Sequence, residues 1–252
     1  MASSISPAST ARPPAATDGA PATHRHEPLI AHWRRHLPRY AGELIGTFVL
    51  VVVATGVVVA NVAADEAITH VGVAIATGLV ITALIYALGH LTGAHFNPAV
   101  SLAFAVGRHF PARDLVPYWL AQLAGAALAS VFVRYLWGDI ANLGATLPGV
   151  SEGRALVLEV FLTFLLMFVI TAVATDARAV GQAAALAIGS VVLLEVMFAG
   201  PASGASMNPA RSFGPALVSG TWESQWIYYA GPLLGAVGGV LVYEFLRRAE
   251  KV

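Results

Sequence analysis

The chemistry in this chain concentrates in two copies of Asn-Pro-Ala, at residues 97–99 and 208–210, with Arg211 directly after the second. Pro98 and Pro209 suit a first helical turn, where the missing N–H leaves nothing unpaired, and Asn97 and Asn208 then stand at the N-cap. An Asn amide donates and accepts hydrogen bonds, and an Arg at membrane depth is a fixed cation that faces an aqueous cavity. Such groups attract and repel; they do not break covalent bonds. The chain contains no Cys, which excludes disulfides, thiolate metal sites and a cysteine nucleophile. Its apolar stretches contain neither a metal-ligand cluster nor a nucleophile beside a base. The expectation is a protein that is not an enzyme and needs no cofactor.

The two motifs belong to a longer repeat. Residues 93–101, Gly-Ala-His-Phe-Asn-Pro-Ala-Val-Ser, match 204–212, Gly-Ala-Ser-Met-Asn-Pro-Ala-Arg-Ser, at six of nine positions with an offset of 111. Glu43 and Thr47 correspond to Glu159 and Thr163, while Leu123, Gly125 and Ala126 correspond to Leu233, Gly235 and Ala236. The chain is therefore two related halves.

The elements that must position these motifs are set by hydropathy. With 57% hydrophobic and 11% charged residues and a mean hydropathy of +0.72, the chain is too apolar for an ordinary soluble domain and belongs in a bilayer. A crossing needs about 20 mostly apolar residues. Six stretches qualify: roughly 41–62, 69–90, 115–137, 155–175, 180–200 and 225–246. They are expected to be helices, because backbone exposed to lipid must satisfy its own hydrogen bonds. Two further apolar pieces, 97–107 and 208–219, are too short to cross and read as re-entrant half-helices. Three spans per half is an odd number, so the second half enters the membrane inverted relative to the first. Two half-helix N-termini, each the positive end of a dipole, can then meet near the midplane and repel cations.

Charge sets an expected orientation. With the N-terminus inside, Arg12, Arg25, Arg34, Arg35, Arg39, Arg108, Arg113, Arg178, Arg247, Arg248 and Lys251 fall on the inner side, and only Arg134 and Arg154 fall outside. Both termini are then cytoplasmic, in a multi-pass protein of the cell membrane. Trp119, Trp137, Trp222 and Trp226 lie near span ends, where interfacial anchors are expected. Formal net charge is zero and no basic stripe is present, so nucleic acid is not an expected partner.

The expected organisation is a disordered cytoplasmic tail over 1–37, a membrane domain over 38–247 with halves at about 38–138 and 152–247, and a short tail over 248–252. The first 28 residues are rich in Ala, Ser, Thr and Pro and bury too little to order themselves; they read as a plain tail or as a transit-like segment. His24, His26, His32 and His36, with Arg25, Arg34 and Arg35, form a polar juxtamembrane segment, a metal site or a lipid-binding collar.

In these features the chain resembles the major intrinsic protein family, the aquaporins and glycerol facilitators, from about residue 38 to 247. Residues 200–216, Gly-Pro-Ala-Ser-Gly-Ala-Ser-Met-Asn-Pro-Ala-Arg-Ser-Phe-Gly-Pro-Ala, are most similar to the nodulin-like intrinsic proteins of plants and their bacterial relatives. The resemblance implies an all-α membrane fold of six transmembrane helices plus two re-entrant half-helices in an inverted three-span repeat. It also implies a homotetramer in membrane lipid with one pore per subunit, passing water and small neutral solutes such as glycerol, boric acid or arsenous acid. Exclusion of protons and cations by half-helix dipoles is the known device of aquaporin-type pores. Glycerol facilitators carry Asp after the pore Arg, where this chain has Ser212, and they carry long outer-loop insertions that it lacks.

Carried over position by position, the family's outer constriction falls on Thr77, Val196, Ala205 and Arg211. Water-selective members place an aromatic ring and a His at the first two. Smaller side chains here widen the opening and make one wall apolar, and the expected consequence is passage of solutes larger than water. The resemblance further assigns pore carbonyls to Gly93, Ala94, Gly204 and Ala205, and makes Glu43 and Glu159 scaffold carboxylates for the re-entrant loops. Read from the residues alone, those two acids also suit a proton relay, Thr77, Val196 and Ala205 suit ordinary packing, and His90 and His95 suit either a pH sensor or a hydrogen-bonded structural role. Small residues such as Gly125, Ala129, Gly235 and Gly239 suit close helix approach. Two rivals stand beside the solute channel: a water channel of relaxed selectivity, and an ion-coupled secondary transporter, which also uses inverted repeats and broken helices.

Overall fold

The computed structural model describes residues 28–176 and 183–249. Its helices are α1 (Leu29–Arg35), α2 (Leu37–Ala63), α3 (Thr69–Thr92), α4 (Pro98–Val106), α5 (Leu115–Trp137), α6 (Glu152–Thr175), α7 (Ala184–Ser203), α8 (Pro209–Ser219) and α9 (Ile227–Ala249). Six of them, α2, α3, α5, α6, α7 and α9, are long and apolar enough to cross a membrane. Large apolar side chains such as Leu79, Leu128, Phe161, Phe198 and Leu234 point outward from the bundle, as a lipid-facing surface requires. The helix α2 starts four residues before the hydropathic stretch, because Pro38 fits its first turn.

The halves repeat in space as they do in sequence. The helix α2 packs on α5 and α3, and its counterpart α6 packs on α9 and α7. Gly125 lets α5 approach α2 until an added Cβ would lie 2.4 Å from the Leu44 carbonyl oxygen; Gly235 does the same for α9 on α6, at 2.2 Å from Val160 O. An even number of spans puts the start of α2 and the end of α9 on one face, called here the terminal face. The half-helix α4 enters from that face and α8 from the opposite one.

Residues 29–35 depart from the expected disordered segment over 1–37, since they form α1. Contacts of His32 and Trp33 with Asp114 and Arg113 order them. The ring of His32 lies 2.6 Å from Asp114 Oδ1, Tyr40 OH donates to the same oxygen at 2.8 Å, and Trp33 Nε1 donates to Arg113 O at 3.1 Å. His24, His26 and Arg25 of the His-rich segment lie outside the described residues, as do Arg12, Arg178 and Lys251. Trp119 also does something the span-end rule does not foresee: its Nε1 donates to Pro98 O at 3.0 Å and ties α5 to α4. Trp137, Trp222 and Trp226 stay about half exposed.

Candidate functional site

Each re-entrant segment begins with a turn that few L-residues adopt. Ala94 and Phe96 have φ of 50° and 49°, and Ala205 and Met207 have 43° and 53°, after Gly93 and Gly204 at 90° and 85°. A non-glycine residue in this left-handed region costs of order 1–3 kcal/mol and persists only where its surroundings over-determine it. A buried carboxylate does so in each half. Glu43 accepts from the N–H groups of His95 (3.0 Å) and Phe96 (2.7 Å), from Thr92 Oγ1 (2.8 Å) and from Gln122 Nε2 (2.8 Å). Glu159 accepts from the N–H groups of Ser206 (2.9 Å) and Met207 (2.8 Å) and from Ser203 Oγ (2.7 Å). The remaining amides, Ala94 N–H and Ala205 N–H, donate to the Thr92 and Ser203 hydroxyls at 2.9 and 3.1 Å.

Peptide planarity converts these bonds into a row of outward acceptors. In a trans peptide the carbonyl points opposite to the N–H of the next residue, and no cis bond occurs among the described residues. With the amides of Ala94, His95 and Phe96 turned toward Glu43 and Thr92, the carbonyls of Gly93, Ala94 and His95 face away from that carboxylate. The same argument turns the carbonyls of Gly204, Ala205 and Ser206 away from Glu159. The carbonyls of His95 and Ser206 were not singled out from sequence. The repeat offset was the available signal, since Thr92 and Ser203 stand at 111 and Tyr118 and Tyr228 at 110. Those tyrosines brace the turns, donating to Thr92 O at 2.6 Å and to Ser203 O at 2.7 Å.

The two half-helices meet N-terminus to N-terminus. Asn97 Oδ1 caps α4 by accepting from Ala99 N–H at 2.9 Å, and its Nδ2 donates to Met207 O of the other half at 2.8 Å. Asn208 Oδ1 caps α8 through Ala210 N–H at 2.9 Å and Arg211 N–H at 3.3 Å, and its Nδ2 donates to Phe96 O at 2.9 Å. The exchange locks the caps together and leaves each amide a second N–H.

A cavity of about 840 Å³ runs past this junction. At the terminal face it is lined by Tyr86, His90, His109 and Thr175, at mid-depth by Asn97 and Asn208, and toward the opposite face by Thr77, Ala205 and Arg211. Gly93, Ala94, His95 and Ser206 line it, whereas Gly204 and Val196 are not among the lining residues. Val196 is buried one turn beyond Val192, which does line it. Pro98, Ala99, Pro209 and Ala210 are buried behind the caps. Much of the remaining wall is aliphatic, including Leu50, Ile81, Val100 and Ile188.

At the Arg211 level the donors and acceptors divide between walls. Arg211 Nη1 donates to Gly144 O at 2.8 Å, which anchors the guanidinium while it lines the cavity. Gly144 sits at φ 71°, where an added Cβ would come 2.9 Å from Thr55 O, so only glycine fits. The Thr77 hydroxyl proton is used within α3, on Val73 O at 2.9 Å, so Thr77 offers only lone pairs to the cavity. One wall thus donates and the other accepts.

Ser212 is buried in a hydroxyl chain, 2.7 Å from Thr146 Oγ1 and hydrogen-bonded to Ser206. The counterpart in the first half is His95 Nδ1 with Ser101 Oγ at 3.0 Å, which places His95 in a structural bond; His90 is exposed at the mouth.

Comparison with known proteins places this geometry. The family model described as Major intrinsic protein matches residues 31–243. Aquaporin NIP1-1 of Zea mays is 50% identical over 216 residues, covering 85% of this chain and 77% of its own. Nodulin-26 of Glycine max is 46% identical, covering 85% and 80%. The X-ray structure of the aquaglyceroporin from Plasmodium falciparum superposes with a TM-score of 0.72 at 24% identity, over 85% of this chain and 97% of that one, a likeness of fold.

Proposed function

Because the chain belongs to the major intrinsic protein family, we propose that it is a passive membrane channel for water and small uncharged solutes of the glycerol, boric acid and arsenous acid type. The observation that carries the reading is the cavity that passes two reciprocally locked Asn caps and then runs past the Arg211 donor and the Thr77 acceptor, with no aromatic ring at position 77. A solute hydroxyl exchanges water for Arg211 and Thr77, then for the carbonyls of Ala205 and Ser206, then for the spare N–H of Asn97 and Asn208, and then for the carbonyls of His95, Ala94 and Gly93, with Gly204 set back from the cavity. Val196, buried beside the cavity, adds no polar group to this level. Aliphatic groups opposite the polar strip make no hydrogen bonds, so nothing holds the solute long, and no covalent step is needed.

Cations meet two positive helix ends and Arg211, and the Asn donors break a continuous water wire. We place the protein in the cell membrane with both termini cytoplasmic, as a homotetramer with one pore per subunit. The positive-inside asymmetry supports the orientation; the tetramer follows family habit.

Stopped-flow measurements on vesicles containing the full chain, comparing water, glycerol, boric acid and arsenous acid, test the reading. All four are expected to permeate. Water permeation without solute permeation reduces the protein to a water channel, and uptake that requires an ion gradient overturns the channel in favour of a coupled transporter. Thr77→Trp restores a ring and is expected to cut glycerol flux about tenfold, by the logic of steric discrimination in a fitted site, with a smaller loss for water.

A further inference from the structure

Among the residues of α7, Glu195 is the one acid, and sequence reading gave it no role. It is fully buried, and neither carboxyl oxygen has a hydrogen-bond partner. Helix register shows where it faces. Ala185, Ile188 and Val192 line the cavity, and Gly189 and Leu193 meet Gly78 of α3. Glu195 lies roughly 60° around from Val192 on the side away from Leu193. That side meets α6, where Glu159 is near enough to act on Glu195 electrostatically. The titratable or charged groups on the surrounding elements are Glu159 of α6, Arg211 of α8, Tyr228 of α9, and His70 of α3, whose Nε2 lies 3.1 Å from Met197 O.

The fold does not need an acid here. At the repeat offset of 111 the first half has Leu84, buried against Leu50 and Phe96. A buried carboxyl without partners is costlier than Leu, and an ionisable residue inside a membrane marks a functional group.

We propose that Glu195 carries a proton while Glu159 is charged, and that this proton, through the charge on Glu159 across the α6–α7 interface, positions the segment carrying Ala205 and Arg211 and so tunes solute selectivity. Two carboxylates within electrostatic reach in a dry interior repel each other, so one of them holds its proton. With the proton on Glu195, Glu159 keeps its charge and its bonds to Ser203, Ser206 and Met207. When the proton leaves, two like charges face each other across the α6–α7 interface. Their repulsion loosens Glu159's hold on the loop, and Arg211, within electrostatic reach of Glu159, shifts with it. Glu195 is thus a positioning residue acting through Glu159.

This rests on the channel reading, and the test separates the two. Water and glycerol permeability are measured between about pH 5 and pH 9 in vesicles containing wild type, Glu195→Gln or Glu195→Leu, with the thermal stability of each. The wild-type glycerol-to-water ratio is expected to change by about tenfold across the range, the effect of one charge-assisted hydrogen bond. Glu195→Gln, shaped like the protonated acid, is expected to stay flat at the acid-side value, and Glu195→Leu to be flat and more heat-stable. A flat wild-type profile, or a Glu195→Gln profile that copies the wild type, overturns the proposal; the Gln variant decides alone if the Leu variant does not fold. If glycerol permeates at no pH, the solute reading fails, and the pH profile of water permeability decides this one.

Discussion

The turn held by Glu43 and the turn held by Glu159 have nearly the same backbone and different neighbours. Both take two loop amides and one hydroxyl, yet only Glu43 gains a fourth donor, Gln122, where the second half has Pro232. At the third position after each cap Asn the first half has Val100 and the second has Arg211, and both line the cavity. At the repeat-related position on the span before each turn the first half has Leu84 and the second Glu195. The geometry of the pore is therefore symmetric while its charge is not. One turn is a fully bonded scaffold, and the other combines the same scaffold with a cation that lines the cavity and a buried acid without a hydrogen-bond partner.

The largest effect expected from breaking this comparison is on folding. Glu43→Leu strands four donors and two left-handed residues, each stranded group costing about 1–3 kcal/mol. That exceeds the usual margin of a folded protein, so no folded Glu43→Leu is expected after solubilisation. Glu159→Leu strands three donors and relieves Glu195 of a neighbouring charge, so its loss of thermal stability is expected to be smaller. Equal losses would mean that Gln122 contributes nothing to the difference.

Next in size is Arg211→Val, which makes the second half copy Val100. Losing a charged donor worth about 1.5–3 kcal/mol is expected to shift the glycerol-to-water ratio by ten- to a hundredfold and to admit protons, read with a pH-sensitive dye inside vesicles. If proton flux stays at the wild-type level, exclusion rests on the Asn caps and the half-helix ends alone. The smallest effect sharpens the symmetric part: Tyr118→Phe and Tyr228→Phe each remove one hydrogen bond to the matching carbonyl, and each is expected to cost about 1 kcal/mol, seen as similar drops in melting temperature. A clear inequality would show that the turns are braced differently.

Much of this was legible before any coordinates. Six apolar stretches became α2, α3, α5, α6, α7 and α9, and two Asn-Pro-Ala copies became capped half-helices. Other features stayed hidden because they depend on partners far along the chain. The helix α1 exists because His32 finds Asp114 across 82 residues, and Trp119 leaves the interface because Pro98 O lies within its reach. Val196, reached by counting back from Asn208, is buried beside the cavity rather than among its lining, because a count along a helix does not include its rotation against neighbours.

By itself the sequence determined what is local or additive. Transfer of consecutive apolar residues into lipid decides where spans fall, capping chemistry decides where half-helices start, and three spans per half dictate inversion. Only the tertiary structure decided which groups meet: the amides that turn to Glu43 and Glu159, the carbonyls thereby turned away, the Gly144 oxygen that holds Arg211, and the face of α6 that Glu195 finds. Those depend on helix rotation and close packing, which many long-range contacts set together and which no single stretch of sequence specifies.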